Sequence, residues 1–282
     1  MTTNLVLQGP QATQETLERL ARLANPQGVI PLGAHALRAE GVAYGAALKQ
    51  EIDAAAFEAG VDATFIAAGR TLADFKLVAM DMDSTLITIE CIDEIADMQG
   101  LKPQVAAITE AAMRGELDFS ESLMRRVALL EGLEAGALQR VYDERLRISP
   151  GGEAMLQAVQ AAGFKTLLVS GGFTFFTERL KPRLGLDYAH ANVLEVIDGK
   201  LSGRVLGGIV DAEEKKRTVE RVCAEMGIDP SQAIVMGDGA NDLRMMGIAG
   251  LSVAFRAKPV VREQASVALN FSGLDALLTI LS

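Results

Sequence analysis

Two aspartates one residue apart, Asp81 and Asp83, follow directly on the apolar run Leu77-Val78-Ala79-Met80. Carboxylates this close repel unless a cation joins them, and hard oxygen ligands suit a divalent ion such as Mg²⁺. A third carboxylate, Asp238, stands just beyond another apolar run, Ala233-Ile234-Val235-Met236. Asp81, Asp83 and Asp238 are therefore expected to hold Mg²⁺, while Asp242 either supports them from outside or begins the next helix. An ion that bridges carboxylate and phosphoryl oxygen removes the repulsion between a carboxylate and a phosphate ester. Asp81 then reads as a nucleophile that forms an aspartyl-phosphate. Asp83 reads as the acid that protonates the leaving oxygen and then as the base for the hydrolytic water. Standing alone, such an acidic pair would equally read as a helix cap or a solvated turn.

Phosphoryl transfer depends chiefly on positioning and on charge stabilisation, so groups that hold phosphoryl oxygens are the next requirement. Ser170 offers a hydroxyl, and Gly171 lets its backbone N–H approach closely. A cation follows the acidic stretch Asp211-Ala212-Glu213-Glu214, where chemistry leaves the choice between Lys215 and Lys216 open.

These groups need a scaffold. The runs at 77–80, 166–169, 233–236 and 251–254 are continuous and apolar, as strands buried on both faces of a parallel sheet require. Helical patterns at 152–162 and 213–226 separate them, and strand–helix alternation gives a doubly wound α/β sheet. Ligands bind such sheets beyond the carboxyl ends of the strands, which brings the motif-bearing loops to one edge. An insertion at about 90–148 reads as four helices (93–98, 103–113, 120–130 and 135–146) and forms a cap. A β-hairpin is expected at about 193–205 around Asp198-Gly199. Ahead of the core, residues 1–72 read as a small α/β unit. It has strands at 5–7, 34–39, 42–48 and 63–68 and helices at 13–23 and 50–59. The core then spans 73–282.

Asp81-Met82-Asp83-Ser84-Thr85, Ser170-Gly171-Gly172-Phe173, Lys215 and Gly237-Asp238-Gly239-Ala240-Asn241-Asp242 resemble the four motifs of the haloacid dehalogenase superfamily. Their order and spacing are similar to those of its phosphoserine phosphatases, from about residue 76 onwards. The resemblance implies a Rossmann-like core with a helical cap, Mg²⁺ dependence and hydrolysis of O-phospho-L-serine to L-serine through the aspartyl-phosphate, the last step of serine biosynthesis. It also implies that Glu90 meets the substrate ammonium and that an arginine in the segment 122–127 meets the carboxylate. It places Asn241 and the backbone near Gly171 against the phosphate and selects Lys215 over Lys216. At about 100° per residue, Arg126 falls about 60° from Leu123, beside the apolar stripe Leu123, Val127 and Leu130, whereas Arg125 lies nearly opposite. Arg126 is thus the inward arginine. Glu90 alone would read as a helix-start residue and Arg126 alone as a snorkelling one. Together they complement a zwitterion with a phosphate tail. The N-terminal unit resembles the small ACT-like domains of longer relatives; serine sensing, formation of a homodimer and a structural appendage are its three open roles.

Composition narrows the field further. The chain has 282 residues, of which 49% are hydrophobic and 23% charged, the mixture of a soluble globular protein. Lys and Arg number 27 against 37 Asp and Glu, and the net charge of −10 argues against nucleic acid as a partner. The longest stretch free of charged residues, Leu23 to Leu37, contains Pro26 and Pro31, so no membrane span is expected. Two cysteines, Cys91 and Cys223, form no disulfide framework, and a cytoplasmic setting follows. Alternatives within enzymes are a phosphotransferase and a phosphatase for another small phosphate ester. The alternative of another class is an inactive amino-acid-binding regulatory protein.

Overall fold

Residues 2–113 and 116–282 are described by the computed structural model of the chain. Its first unit runs β1 (Thr3–Gln8), α1 (Gln14–Leu23), β2 (Gly28–Pro31), β3 (Ala36–Val42), α2 (Ala46–Glu58) and β4 (Asp62–Ala67). The strands make an antiparallel sheet in the order β2-β3-β1-β4. Successive side chains of a strand point to opposite faces. Leu5 and Leu7 of β1 accordingly pack with Leu17, Leu20 and Ala21 of α1, while Val6 joins the larger core on the other face. Thr13 caps α1 by accepting a hydrogen bond from the Thr16 N–H at 3.2 Å. The segment 42–48, expected as a strand, is instead the end of β3, a short loop and the start of α2. Ala46, Ala47 and Leu48 are strong helix formers, and extended Gly45 supplies the cap position. The short strand β2 was not foreseen.

The second sheet has the order β11-β10-β9-β5-β6-β7-β8. Its strands are β5 (Leu77–Met80), β6 (Lys165–Phe173), β7 (Tyr188–Ile197), β8 (Lys200–Leu206), β9 (Ala233–Gly237), β10 (Leu251–Phe255) and β11 (Val267–Leu269). All neighbouring pairs are parallel except β7–β8. Every residue of β5, β9 and β10 is buried, which accounts for their unbroken apolar runs. Between β5 and β6 lie α3 (Cys91–Asp97), α4 (Lys102–Met113), α5 (Phe119–Ala128) and α6 (Gly136–Arg140). The last expected cap helix, 135–146, breaks after α6 into a wider turn over Val141–Arg145. The remaining helices are α7 (Gly152–Ala161), α8 (Thr174–Leu184), α9 (Ala212–Met226), α10 (Leu243–Met246), α11 (Pro259–Gln264) and α12 (Ala276–Ile280). At the β7–β8 turn both Asp198 and Gly199 have positive φ, 49° and 77°, as a two-residue hairpin turn requires.

The two sheets are tied by polar contacts. The buried Asp62 carboxylate, at the start of β4, accepts backbone N–H bonds from Asn270 (2.7 Å), Phe271 (3.3 Å) and Ser272 (2.9 Å). The Gln8 side-chain amide donates to the Ala276 carbonyl at 3.2 Å, and the Leu72 N–H donates to the Leu281 carbonyl at 3.1 Å. Among the described residues, no helix is long and apolar enough to cross a membrane.

Candidate active site

β5 lies between β9 and β6, so the loops leaving all three open at one sheet edge. Asp81 ends β5 in extended conformation, and a wide turn over Met82–Leu86 follows, with Ser84 at φ 55°. Asp81 Oδ1 accepts the Met82 N–H and the Lys215 ammonium, both at 2.8 Å. Lys215 rises from the first turn of α9, whose cap Asp211 accepts the Glu214 N–H at 2.9 Å. Its Nζ also donates to Asp242 Oδ1 at 2.8 Å, and neither Lys215 nor Asp242 is exposed to solvent. Burial alone would lower the Lys215 pKa, but Asp242 and Asp81 outweigh it and raise it, so the ammonium stays charged.

Asp81, Asp238 and Asp242 each bring a carboxylate oxygen within 4.8 Å of the others, an arrangement able to hold a metal ion. The oxygens of Asp242 are already engaged: Oδ1 by Lys215, and Oδ2 by the N–H groups of Asp238 (3.2 Å) and Gly239 (3.0 Å). Asp242 therefore braces Lys215 and the loop, and Asp81 and Asp238 are the carboxylates open to a cation. Three carboxylates face one ammonium, and that excess negative charge acts on Asp81 and Asp238. Burial, then Asp242, push Asp81 well above the usual carboxylate range. Burial, Asp242 and Glu90 push Asp238 up to about 7. A divalent cation with hard oxygen ligands would relieve both.

Among the expected metal carboxylates, Asp83 does not join this group. Its Oδ1 accepts the Cys91 N–H at 3.3 Å, at the start of α3. Burial and the neighbouring Glu90 push Asp83 up to about 7, suited to exchanging a proton near neutrality.

On the β6 side, Ser170 is fully buried, and its Oγ accepts the Gly172 N–H at 2.8 Å. Little space remains there. A Cβ on Gly172 would lie 2.6 Å from Asp83 Oδ2, and one on Gly171 would lie 2.8 Å from the Phe119 ring. Asn192, which the sequence reading missed, fixes this loop: its Nδ2 donates to the Gly171 carbonyl and its Oδ1 accepts the Val210 N–H, both at 2.8 Å. The only signal for it was a polar residue beside the apolar start of the hairpin.

Asp81, Asp83, Ser170, Gly171, Gly172 and Asp238 line a cavity of about 640 Å³ beneath the cap, together with Glu90, Asp93, Arg126, Asn241 and Lys258, while Lys215, Asp242 and Asn192 lie outside its lining. Ser84 Oγ donates to Glu90 Oε1 at 2.6 Å. Arg126 reaches the cavity from α5, whereas Arg125 points outward and pairs with Glu121 at 2.6 Å. Desolvation lowers the Arg126 pKa, while Asp93 and Glu90 act against that. Asp93 and Lys258 are additions to the sequence reading. The Lys258 N–H donates to the Asp238 carbonyl at 3.2 Å, and its charge acts on Asp238 and Glu90.

A parallel sheet with acidic loops at its edge and a helical cap defines a haloacid dehalogenase-like hydrolase, and the chain belongs to that family, whose model matches residues 75–250. Over 212 residues it is 60% identical to the phosphoserine phosphatase of Polaromonas sp., covering 73% of this chain and 90% of the relative. In structure it is similar to a haloacid dehalogenase family hydrolase from Salmonella enterica serovar Typhi, with TM-score 0.89, 34% identity and coverage of 100% and 99% of the two chains. It is also similar to a substrate-bound phosphoserine phosphatase complex, with TM-score 0.69, 38% identity and coverage of 74% and 99%.

Proposed function

We infer that the chain is a phosphoserine phosphatase, a phosphoric monoester hydrolase that converts O-phospho-L-serine and water to L-serine and phosphate. One observation carries the choice of substrate. A single cavity is lined by Asp81, Ser170 and Gly171, by a cation, Arg126, and by two further anions, Glu90 and Asp93. That is the complement of a phosphate, a carboxylate and an ammonium.

Asp81 and Asp238 would hold Mg²⁺, with Asp83 the further ligand suggested by sequence; the ion would neutralise the approach of nucleophile to phosphate. Lys215 and the Met82 N–H hold Oδ1 of Asp81, which leaves Oδ2 to attack phosphorus. The Asp81–phosphorus bond forms as the phosphorus–serine oxygen bond breaks, and Asp83 gives that oxygen its proton. Asp83 then takes a proton from water, whose oxygen displaces Asp81 and releases phosphate. Lys215, the Ser170 hydroxyl, the Gly171 backbone and Asn241 hold the phosphoryl oxygens through both steps. Arg126 grips the substrate carboxylate and Glu90 its ammonium.

Residues 1–72 are assigned to an N-terminal domain outside this chemistry, since among the described residues none before Asp81 lines the cavity. Residues 73–282 form the phosphatase core, with its cap at 90–148. A cytoplasmic setting, with Cys91 and Cys223 both free, and a place at the final step of serine formation complete the reading.

The test is phosphate release from phosphoserine and from a simple aryl phosphate, each with and without Mg²⁺. Arg126→Ala should raise KM for phosphoserine by roughly tenfold to a hundredfold, the loss of one charge-assisted contact, and leave the aryl ester unchanged. Equal effects on both esters would remove the case for carboxylate recognition.

A further inference from the structure

We propose that a cleft between the N-terminal unit and the far end of the core binds a small organic anion that has a planar or apolar body and no ammonium group. The cleft has a volume of about 370 Å³ and is separate from the active-site cavity. Phe57 of α2 lines one side, and Arg256, Ala257, Arg262, Asn270 and Phe271 line the other.

Its lining is cationic and carries no carboxylate. In a chain of net charge −10, many surface arginines pair with carboxylates, as Arg22 does with Glu18 and Arg244 with Glu213. Among the described residues, neither Arg256 nor Arg262 has a carboxylate partner, and no acidic residue lines the cleft. The Arg262 guanidinium lies 5.2 Å from the Phe57 ring centroid, and its Nη1 donates to Asn270 Oδ1 at 3.4 Å. Arg256 has φ 46°, a conformation that residues with side chains seldom adopt and that gathers at ligand clamps. Its N–H is anchored to the Leu269 carbonyl at 2.7 Å.

The lining chemistry sets the ligand class. Guanidinium groups match the geometry of carboxylates and phosphates. The Phe57 and Phe271 rings, with centroids 5.2 Å apart and planes at 54°, offer an apolar wall to a flat body. No carboxylate lines the cleft to pair with an ammonium, and two guanidinium groups repel one, so an anion without an ammonium fits better than a free amino acid. The next residue along the chain from Ala257 is Lys258, which lines the active-site cavity. The two sites thus share one short segment.

Benzoate and phenylphosphonate carry the two candidate head groups. Each is titrated calorimetrically into the full chain and into Arg256→Gln and Arg262→Gln. Arg256 is exposed, so its variant should melt at the wild-type temperature even if Arg262→Gln does not. At least one probe should bind wild type saturably, and each substitution should weaken that binding by roughly tenfold. The head group that binds more tightly identifies the anion. Absence of saturable binding by both probes, or unchanged affinity in a folded variant, would overturn the proposal, as would L-serine binding that is lost in Arg256→Gln.

Discussion

Replacing Lys215 by methionine keeps most of the side chain's volume and removes the cation that Asp81 and Asp242 share. Both ion pairs are 2.8 Å long, and the exposures are 0% for Lys215, 0% for Asp242 and 7% for Asp81. Solvent cannot replace the lost partner. Breaking a buried pair from one side costs about 3–5 kcal/mol, and proton uptake by Asp81, already pushed up by burial, recovers part of that. A net loss of about 3 kcal/mol is expected at neutral pH, and in a domain of this size it lowers the melting temperature by roughly 6–12 °C. Lys216→Met is the matched control: the Lys216 side chain is 32% exposed, and its pair with Glu220 spans 3.5 Å. A surface pair of that kind is worth about 0–1 kcal/mol. Thermal melts of the metal-free variants give the comparison. Without Lys215 the native carboxyls hold their protons to higher pH, so native protein binds more protons than unfolded chain and stability falls more steeply as pH rises. The deficit should therefore shrink towards about pH 5. Equal shifts for the two variants, or a Lys215→Met shift below about 2 °C, would refute the electrostatic account of this trio.

Other expectations can be checked in the same way. Gly172→Ala puts a methyl 2.6 Å from Asp83 Oδ2 and 3.0 Å from Ser170 Oγ. It should cut kcat/KM for phosphoserine roughly a hundredfold by displacing reacting groups, with a far smaller change in melting temperature. Asp62→Ala leaves the N–H groups of Asn270, Phe271 and Ser272 without their acceptor. It should cost about 3 kcal/mol in urea unfolding, while Asp62→Asn keeps an acceptor and should cost less. In metal-free protein Asp83 and Asp238 titrate near about 7 instead of 3.8. Native protein then binds more protons than unfolded chain across that window, so their contribution to stability declines as pH rises from 3.8 to about 7. Added Mg²⁺ competes with those protons, so its stabilising shift in melting temperature should grow with pH and fade in acid; a shift independent of pH would count against a carboxylate-bound ion.

What could be read from sequence followed how local each signal is. β5, β9 and β10 announce themselves because a strand covered on both faces must be apolar throughout, and Asp198-Gly199 announces its hairpin because few residue pairs accept two positive φ angles. Edge elements were harder. β2 exposes Val29 and Ile30, and β11 has three residues, so neither carries a clear period. At the site, Asp81 and Asp238 were legible from their place at strand ends. Asp242 was read as one of two things, a support behind the carboxylates or a helix start, and it is the support; Asn192 was not legible, because its partners, Gly171 and Val210, are distant along the chain. Nor was the bond that the Asp83 carboxylate accepts from the Cys91 N–H, a contact that forms only once α3 follows the nucleophile loop.

Val6 and Ile66 lie on the second face of the N-terminal sheet and belong to the same apolar cluster as Val78, Met80 and Ile234 of the core. Swinging this unit outward would wet both its own face and the underside of the strands that carry Asp81 and Asp238. Any shift of this unit must therefore travel as strain through a continuous packed interior, in small displacements of β5 and β9, and the same continuity makes amputation of the first 72 residues a blow to the catalytic half itself.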